Sequence, residues 1–316
     1  MRVHRGHRAV PAAARGAAVG IGNFDGVHLG HQAVLAVARA RASTLGSTFG
    51  AVTFEPHPRE VLTPDKAPAR LTPLHRKLAI FAEFGVQHAY VLAFDRALMA
   101  LSADAFVTQV LADGLGVRAV AVGGDFRFGH KRQGDVALLA AAGERRDFAV
   151  DAVEPVAVDG VVCSSSRIRT LLTDGDVAQA RVLLGRPHAV YGRVVEGEKR
   201  GRQIGFPTAN LRLPPASRQL LPAPGVYAVR AAVDDGTTDG VANLGWRPTF
   251  DGTELRLEIH LFDFAGDLYS RRLDVAFAAR LRGELRFDGI DALKRQIEAD
   301  AAEARRLLTG VTGIGA

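Results

Sequence analysis

The chain has 316 residues, of which 47% are hydrophobic and 23% charged, the balance of a globular protein long enough for two cores. No apolar run approaches the roughly 20 residues that cross a bilayer, no secretory pattern opens the chain, and a single cysteine, Cys163, rules out an internal disulfide, so a cytoplasmic address and no membrane partner are expected. The net charge of +6 comes from arginines spread along the chain without a basic run, which favours small phosphate-bearing substrates over nucleic acid.

In chain order, strands are expected at Ala17–Ile21, Phe49–Phe54, Ala89–Phe94 and Arg118–Val122. Helices are expected between and after them, near His31–Thr44, Leu74–Phe84, Ala103–Asp113 and Asp135–Ala142. This alternation predicts a Rossmann-like α/β domain, a parallel sheet with helices on its faces and ligands at the carboxyl ends of its strands. After Gly185 the pattern changes, and Arg186-Pro187-His188 reads as a connector. Strands are then expected at Ala189–Glu196, Val226–Val233, Asp239–Leu244, Glu254–Phe262 and Arg272–Ala278. A final amphipathic helix, Ile290–Leu308, carries Leu293, Ile297, Ala301 and Leu307 near one face. The expected organisation is therefore an α/β domain over 1–185 and a small β-barrel closed by a helix over 186–316.

The first chemical pattern is Gly22-Asn23-Phe24-Asp25-Gly26-Val27-His28-Leu29-Gly30-His31, which joins the first strand to the first helix. Glycines let the backbone approach a ligand, and a helix N-terminus offers free amides to phosphate. His28 and His31 can add donors there, although a pair of surface histidines or a metal pair has the same local pattern. Thr53-Phe54-Glu55-Pro56-His57-Pro58 follows the second strand and Gly123-Gly124-Asp125-Phe126-Arg127-Phe128-Gly129 the fourth, so polar and aromatic groups gather at one edge of one sheet. Cys163-Ser164-Ser165-Ser166-Arg167-Ile168-Arg169 opens a further helix, where serines can cap and Arg169 adds a fixed charge. Cys163 itself reads as a small packed side chain, while Phe126 and Phe128 alternate as core residues do.

In order and content these stretches resemble the FMN adenylyltransferase module of prokaryotic bifunctional FAD synthetases. The resemblance implies that His28, His31, Ser165 and Arg169 handle ATP phosphates. It further implies ATP contacts at Gly22, Phe24, Gly30 and Arg167, and a place for Asp125 near the nucleotide or flavin. Phe54, His57, Phe126 and Phe128 are candidates for the flavin side. Val162 departs from the basic residue that some relatives carry before the serine run.

The second half opens with Gly192-Arg193-Val194-Val195-Glu196-Gly197 and Arg200-Gly201-Arg202-Gln203-Ile204-Gly205-Phe206-Pro207-Thr208-Ala209-Asn210. Glycine turns bearing arginines suit a loop folded over polyphosphate. Thr208 and Asn210, two residues apart, can present hard oxygen donors on one face of an extended segment, as Mg²⁺ prefers. Glu258, within an alternating strand, either faces water or accepts a hydroxyl proton. With Asn243-Leu244-Gly245-Trp246-Arg247-Pro248-Thr249-Phe250 and Arg280 to Phe287, these runs resemble the riboflavin kinase module of the same enzymes. That resemblance implies metal-bound ATP at Thr208 and Asn210, ATP contacts at Arg202 and Gly205, Glu258 as base and Arg282 near the flavin. ATP, Mg²⁺, riboflavin, FMN and FAD are the implied cofactors, substrates and products; no protein partner is implied. Ser270 replaces the glycine usual after Leu268-Tyr269. A nucleotidyltransferase with another acceptor shares the His-x-Gly-His element, and an aminoacyl-tRNA synthetase would need a Lys-Met-Ser-Lys-Ser stretch that is missing here. A non-catalytic flavin- or RNA-binding regulator is expected to have lost some of the catalytic set, yet all of it is present.

Overall fold

The computed structural model describes residues 1–197, 205–233, 236–249 and 252–309, which fold as two compact units, Met1–Ser164 and Ser165–Ala316. The first unit is built on six strands: β1 (Arg2–Arg5), β2 (Ala18–Ile21), β3 (Phe49–Glu55), β4 (His88–Ala93), β5 (Ala119–Gly123) and β6 (Ala149–Val153). They form one sheet in the order β1-β4-β3-β2-β5-β6, and every pair is parallel, while β7 (Ala157–Val158) and β8 (Val161–Val162) make a separate antiparallel pair. From β2 the chain winds one way through β3 and β4, then returns to place β5 on the other side. The crevice between β2 and β5 is thus the switch point where sheets of this kind bind ligands.

The inner strands are apolar without alternation because helices cover both faces. On one face, Ala18, Ala51, Ala89, Ala119 and Ala121 make a shallow floor for α1 (Leu29–Leu45) and α2 (Leu74–Glu83), reached by Val34, Leu35, Ile80 and Phe81. On the other, Val19, Ile21, Val52, Val120 and Val122 pack on α3 (Phe106–Leu115) and α4 (Val136–Arg145), through Val107, Val110, Leu111 and Leu139. The expected helix over 103–113 is a short α-turn at Ala103–Ala105 followed by α3, a π-helix that ends at left-handed Gly116. Strand β1 was not expected from the sequence: Arg-Val-His-Arg is an edge strand whose side chains are mostly exposed, so it carries no apolar run.

The second unit begins with α5 (Ser165–Thr173) and α6 (Val177–Leu184), the latter packed on β9 (His188–Val195) and β14 (Arg272–Arg282). The helix expected to open at the serine run is thus α5, and α6 was not expected from the sequence. Strand β9 joins β10 (Ala209–Arg212), β11 (Gly225–Val233), β12 (Gly236–Thr249), β13 (Gly252–Leu261) and β14 in a closed antiparallel barrel of order β10-β13-β12-β11-β14-β9. Val190, Val194, Leu211, Tyr227, Leu244, Leu257, Ile259 and Phe277 are buried on one face of these strands. The opposite face of β11, β12 and β14 is covered by the terminal helix α7 (Ile290–Thr309). Ala304 and Leu308 of that helix meet Val226, Ala228, Val241, Ala276 and Ala278. The buried stripe runs through Asp300, Ala304 and Leu308, while Ala301 packs beside it partly buried; Leu293, Ile297 and Leu307 are only half-buried.

Candidate functional site

In the first unit, β2 ends at Ile21 and the chain turns through residues 22–28 before α1. Phe24 and Val27 take left-handed backbone angles (φ 50° and 40°), which side chains with a Cβ adopt only when held. Contacts with neighbouring elements hold this turn. The Phe24 ring is fully buried, edge-on to Phe81 at 5.3 Å between centroids. The Asp25 carboxylate accepts from the amides of Leu71 (3.1 Å) and Thr72 (3.0 Å). The carbonyl of Asn23 accepts from Lys77 Nζ at 2.7 Å and Thr53 Oγ1 at 3.1 Å. Phe24, expected among the nucleotide contacts, can therefore offer a ligand its backbone but not its ring.

At the far end of the turn His28 caps α1, its Nδ1 accepting from the amide of His31 at 3.4 Å. With Nδ1 an acceptor, a neutral His28 carries its proton on Nε2 and can donate there. The His28 and His31 rings stack at 3.7 Å with 20° between planes, so both imidazoles lie at one helix N-terminus. Gly30 permits this: a Cβ there would lie 3.2 Å from the His28 ring and 3.4 Å from the carbonyl of Cys163. Burial pushes the Cys163 thiol up, against a hydrogen bond from the Gly30 amide, which leaves it a protonated packing group.

The other expected residues of this half lie at neighbouring strand ends. Asp125 is exposed in the turn after β5, and Gly22 directly follows β2. Phe126 and Phe128 stack at 5.5 Å, but Phe128 is 6% exposed and belongs to the core, so the half-buried Phe126 is the more open of the two. Phe54 packs edge-on to Phe94, and His57 caps the short helix Pro58–Leu62 by accepting from the Arg59 amide at 3.2 Å. Ser165, Arg167 and Arg169 belong to α5 in the second unit. Ser165 is its first residue with Arg169 one turn along the same side, while Arg167 is exposed on another.

Sequence reasoning passed over a charged cluster beneath the turn. Arg70, 8% exposed, forks onto Glu60 (2.5 and 2.6 Å) and reaches Glu55 at 2.7 Å. Lys77, 3% exposed, bonds Asn23 and Thr53, and burial pushes its ammonium down to about 8 although Asp25, Glu55 and Glu60 pull the other way. A signal was present: Lys77 falls on the same helical stripe as Leu74, Phe81 and Phe84, where a lysine contradicts the apolar period.

In the second unit the strand register assembles residues far apart in sequence. Glu258 on β13 stands directly opposite Asn210 on β10 and, on its other side, opposite Asn243 on β12. Directly opposed side chains share a face. The row Asn210, Glu258, Asn243 therefore lies on the outer face, because the alternate residues Leu257 and Ile259 are buried at 1% each. Glu258 keeps a quarter of its side chain exposed and meets Arg247 at 3.7 Å. A Cβ at Gly245 would collide with a Glu284 carboxylate oxygen, so the missing side chain makes the slot in which Glu284 sits beside this row. Thr208 is exposed just before β10, next to Pro207, whose carbonyl pairs with His260 Nδ1 at 2.8 Å. The neutral oxygens of Thr208 and Asn210 are hard donors beside one carboxylate, which fits a Mg²⁺ ion whose remaining ligands are water and phosphate. Arg282 is held bidentately by Asp300 of α7 (2.7 and 3.0 Å), and Gln296 bonds the same carboxylate. Gly205 is exposed in a left-handed turn (φ 89°), and Arg202 lies outside the described residues.

Two family models match the chain, FAD synthetase over residues 10–167 and riboflavin kinase over residues 184–308. A bifunctional riboflavin kinase/FMN adenylyltransferase of Pseudomonas fluorescens is 48% identical over 97% of this chain and 98% of its own length. The protein of the same description from Escherichia coli K12 is 43% identical over 96% of this chain and 97% of its own. A solved structure described as a macrolide-efflux protein from Streptococcus pneumoniae is 31% identical, with a TM-score of 0.86 over 96% of this chain and 98% of that one. Among the described residues no helix is long and apolar enough to cross a membrane.

Proposed function

The chain belongs to the bifunctional riboflavin kinase/FMN adenylyltransferase family, and from that premise we propose how its residues divide the work. The protein phosphorylates riboflavin to FMN with ATP and adenylylates FMN to FAD, releasing pyrophosphate. Residues 1–185 carry the adenylylation and 186–316 the phosphorylation. A cytoplasmic setting accords with the single cysteine.

In the kinase step, the Glu258 carboxylate accepts the proton of the riboflavin 5′-hydroxyl as that oxygen attacks the γ-phosphorus of ATP and ADP leaves. The observation that carries this reading is the register that sets Glu258 opposite Asn210. Thr208 and Asn210 would hold Mg²⁺, which when bound neutralises charge on the ATP phosphates. Arg202 and Gly205 serve the nucleotide, and Arg282, braced by Asp300, serves the flavin.

In the adenylyl step, an FMN phosphate oxygen attacks the α-phosphorus of ATP. His28 Nε2–H, His31 and the first amides of α1 stabilise the charge that builds there and on the departing pyrophosphate. Gly22, the Phe24 backbone and Gly30 let the nucleotide approach the turn. Asp125, Phe126, Phe54 and His57 serve the flavin side, with Phe128 behind them. The parts of Ser165, Arg167 and Arg169 in phosphate binding rest on the motif resemblance. Incubation with riboflavin and ATP, with and without Mg²⁺, followed by chromatography, tests the whole reading. FMN then FAD are expected with the metal and neither without it; riboflavin bound but unchanged in both would refute it.

A further inference from the structure

The turn between β2 and α1 cannot hold its shape alone. It contains two non-glycine residues in the left-handed region, Phe24 and Val27, a conformation that persists only where the surroundings impose it. One of the groups that hold it is a cation, Lys77. The ammonium donates to the Asn23 carbonyl at 2.7 Å and to Thr53 Oγ1 at 3.2 Å, while Thr53 Oγ1 itself donates to the same carbonyl. Lys77 and Thr53 thereby pin the start of the turn to α2 and β3, and both are almost wholly out of water. We infer that Lys77 is a positioning residue for adenylyl transfer, which sets the turn whose far end presents His28 and the amides of α1 to phosphate. The inference rests on the reading of that turn as the nucleotide site.

A lysine is suited to this place for a second reason. The charged groups that bear on it are Asp25 of the turn, Glu55 of β3, Glu60 of the following short helix, and Arg70. Without Lys77, three carboxylates would face one guanidinium directly beneath a site for two polyanions, and their field would oppose binding. The ammonium both makes the hydrogen bond and offsets that charge. Burial brings it down to about 8, so in the free protein its charge is lost above that pH.

The test uses the full chain with Mg²⁺-ATP, following FAD formation from FMN and, in the same preparation, FMN formation from riboflavin. Lys77→Met should lower kcat for FMN adenylylation by roughly 10- to 100-fold, the scale of a small misplacement of reacting groups, and leave riboflavin phosphorylation unchanged. The wild-type kcat/KM for ATP should fall as the pH rises past about 8, and this limb should be absent from Lys77→Met. Thr53→Val should lower adenylylation about 3-fold or more, and the double variant should lose no more than Lys77→Met, because both break one tie. A folded Lys77→Met within about twofold of wild type would overturn the inference, as would fully multiplicative losses in the double variant. Should Lys77→Met fail to fold, Thr53→Val at the wild-type rate would overturn it instead. His28→Ala with His31→Ala separates the two readings. Loss of FAD formation there beside a normal Lys77→Met removes only the role of Lys77, whereas survival of FAD formation removes the site.

Discussion

The two units build their sites by opposite means. In the first, the chemistry proposed above belongs to one contiguous turn at a parallel sheet's switch point, and a buried or half-buried layer of charge (Asp25, Glu55, Glu60, Arg70, Lys77) supports it from beneath. In the second, Asn210, Glu258 and Asn243 come from three strands and meet only through antiparallel register, on the half-exposed outer face of a barrel. A turn must be held by neighbours because its own backbone is unfavourable there, whereas a strand row is held by the ladder that also makes the barrel. Supporting residues should accordingly matter for stability in the first unit and little in the second, while the reacting residues should be separable by activity.

The largest effects test that separability. Glu258→Gln keeps the size of the side chain and removes the proton acceptor, so FMN formation should fall by roughly 10²–10⁴-fold while supplied FMN still becomes FAD. His28→Ala with His31→Ala should do the reverse, lowering FAD formation by about 10²-fold or more and sparing the kinase. Both rates measured on each purified variant decide the matter. A variant that lost both activities while folded would join the two sites and break the comparison.

Stability separates the supports. Arg70→Ala would strand Glu55 and Glu60 without their buried partner, and breaking such a pair costs about 3–5 kcal/mol, read as an earlier urea midpoint. Arg247→Ala removes a looser pair, 3.7 Å from Glu258 and over a third exposed, for which about 0–1 kcal/mol is the scale. Equal losses would mean that the barrel row is as dependent on its neighbours as the turn.

The same contrast explains what could be read from the sequence. The inner strands of the first unit were legible because both faces are covered and their apolar runs are unbroken; β1 was not, since an exposed edge carries no such run. The turn proposed to bind the nucleotide could be singled out because its pieces adjoin in the chain. Glu258 and Asn210 were identified singly by motif, but their facing one another depends on a pairing between residues 48 apart that no local pattern specifies. Strand β10 escaped as an element because it has only four residues, one of them buried. Lys77 and Arg70 were passed over because such residues are rarely buried; their burial follows from carboxylates brought near by folding. Ser270 shows the reverse case. Standing where the family usually has glycine, it sits at φ 64°, in the left-handed region where glycine is at ease, a strain that the sequence does not display.

A further expected effect concerns pH, and it isolates the buried charge of the first unit. Lys77 in the folded protein is brought down to about 8, below its ordinary value of 10.5. Between those values the unfolded chain holds the proton that the folded protein has released, so the unfolded state binds more protons and stability rises with pH. Below about 8 both states are protonated, and the cost of burying the ammonium is present in full. Other groups act in the opposite sense. Burial pushes the Cys163 thiol and the Tyr227 phenol up, and Tyr90 up to about 12, so each ionises first in the unfolded chain and weakens the fold as pH climbs. The difference between wild type and Lys77→Met cancels these shared contributions. The melting temperature of wild type minus that of Lys77→Met should therefore stay level below pH 8 and grow from pH 8 towards 10.5. A difference that is level across this range would show that Lys77 keeps its proton, and that the carboxylates around it outweigh its burial.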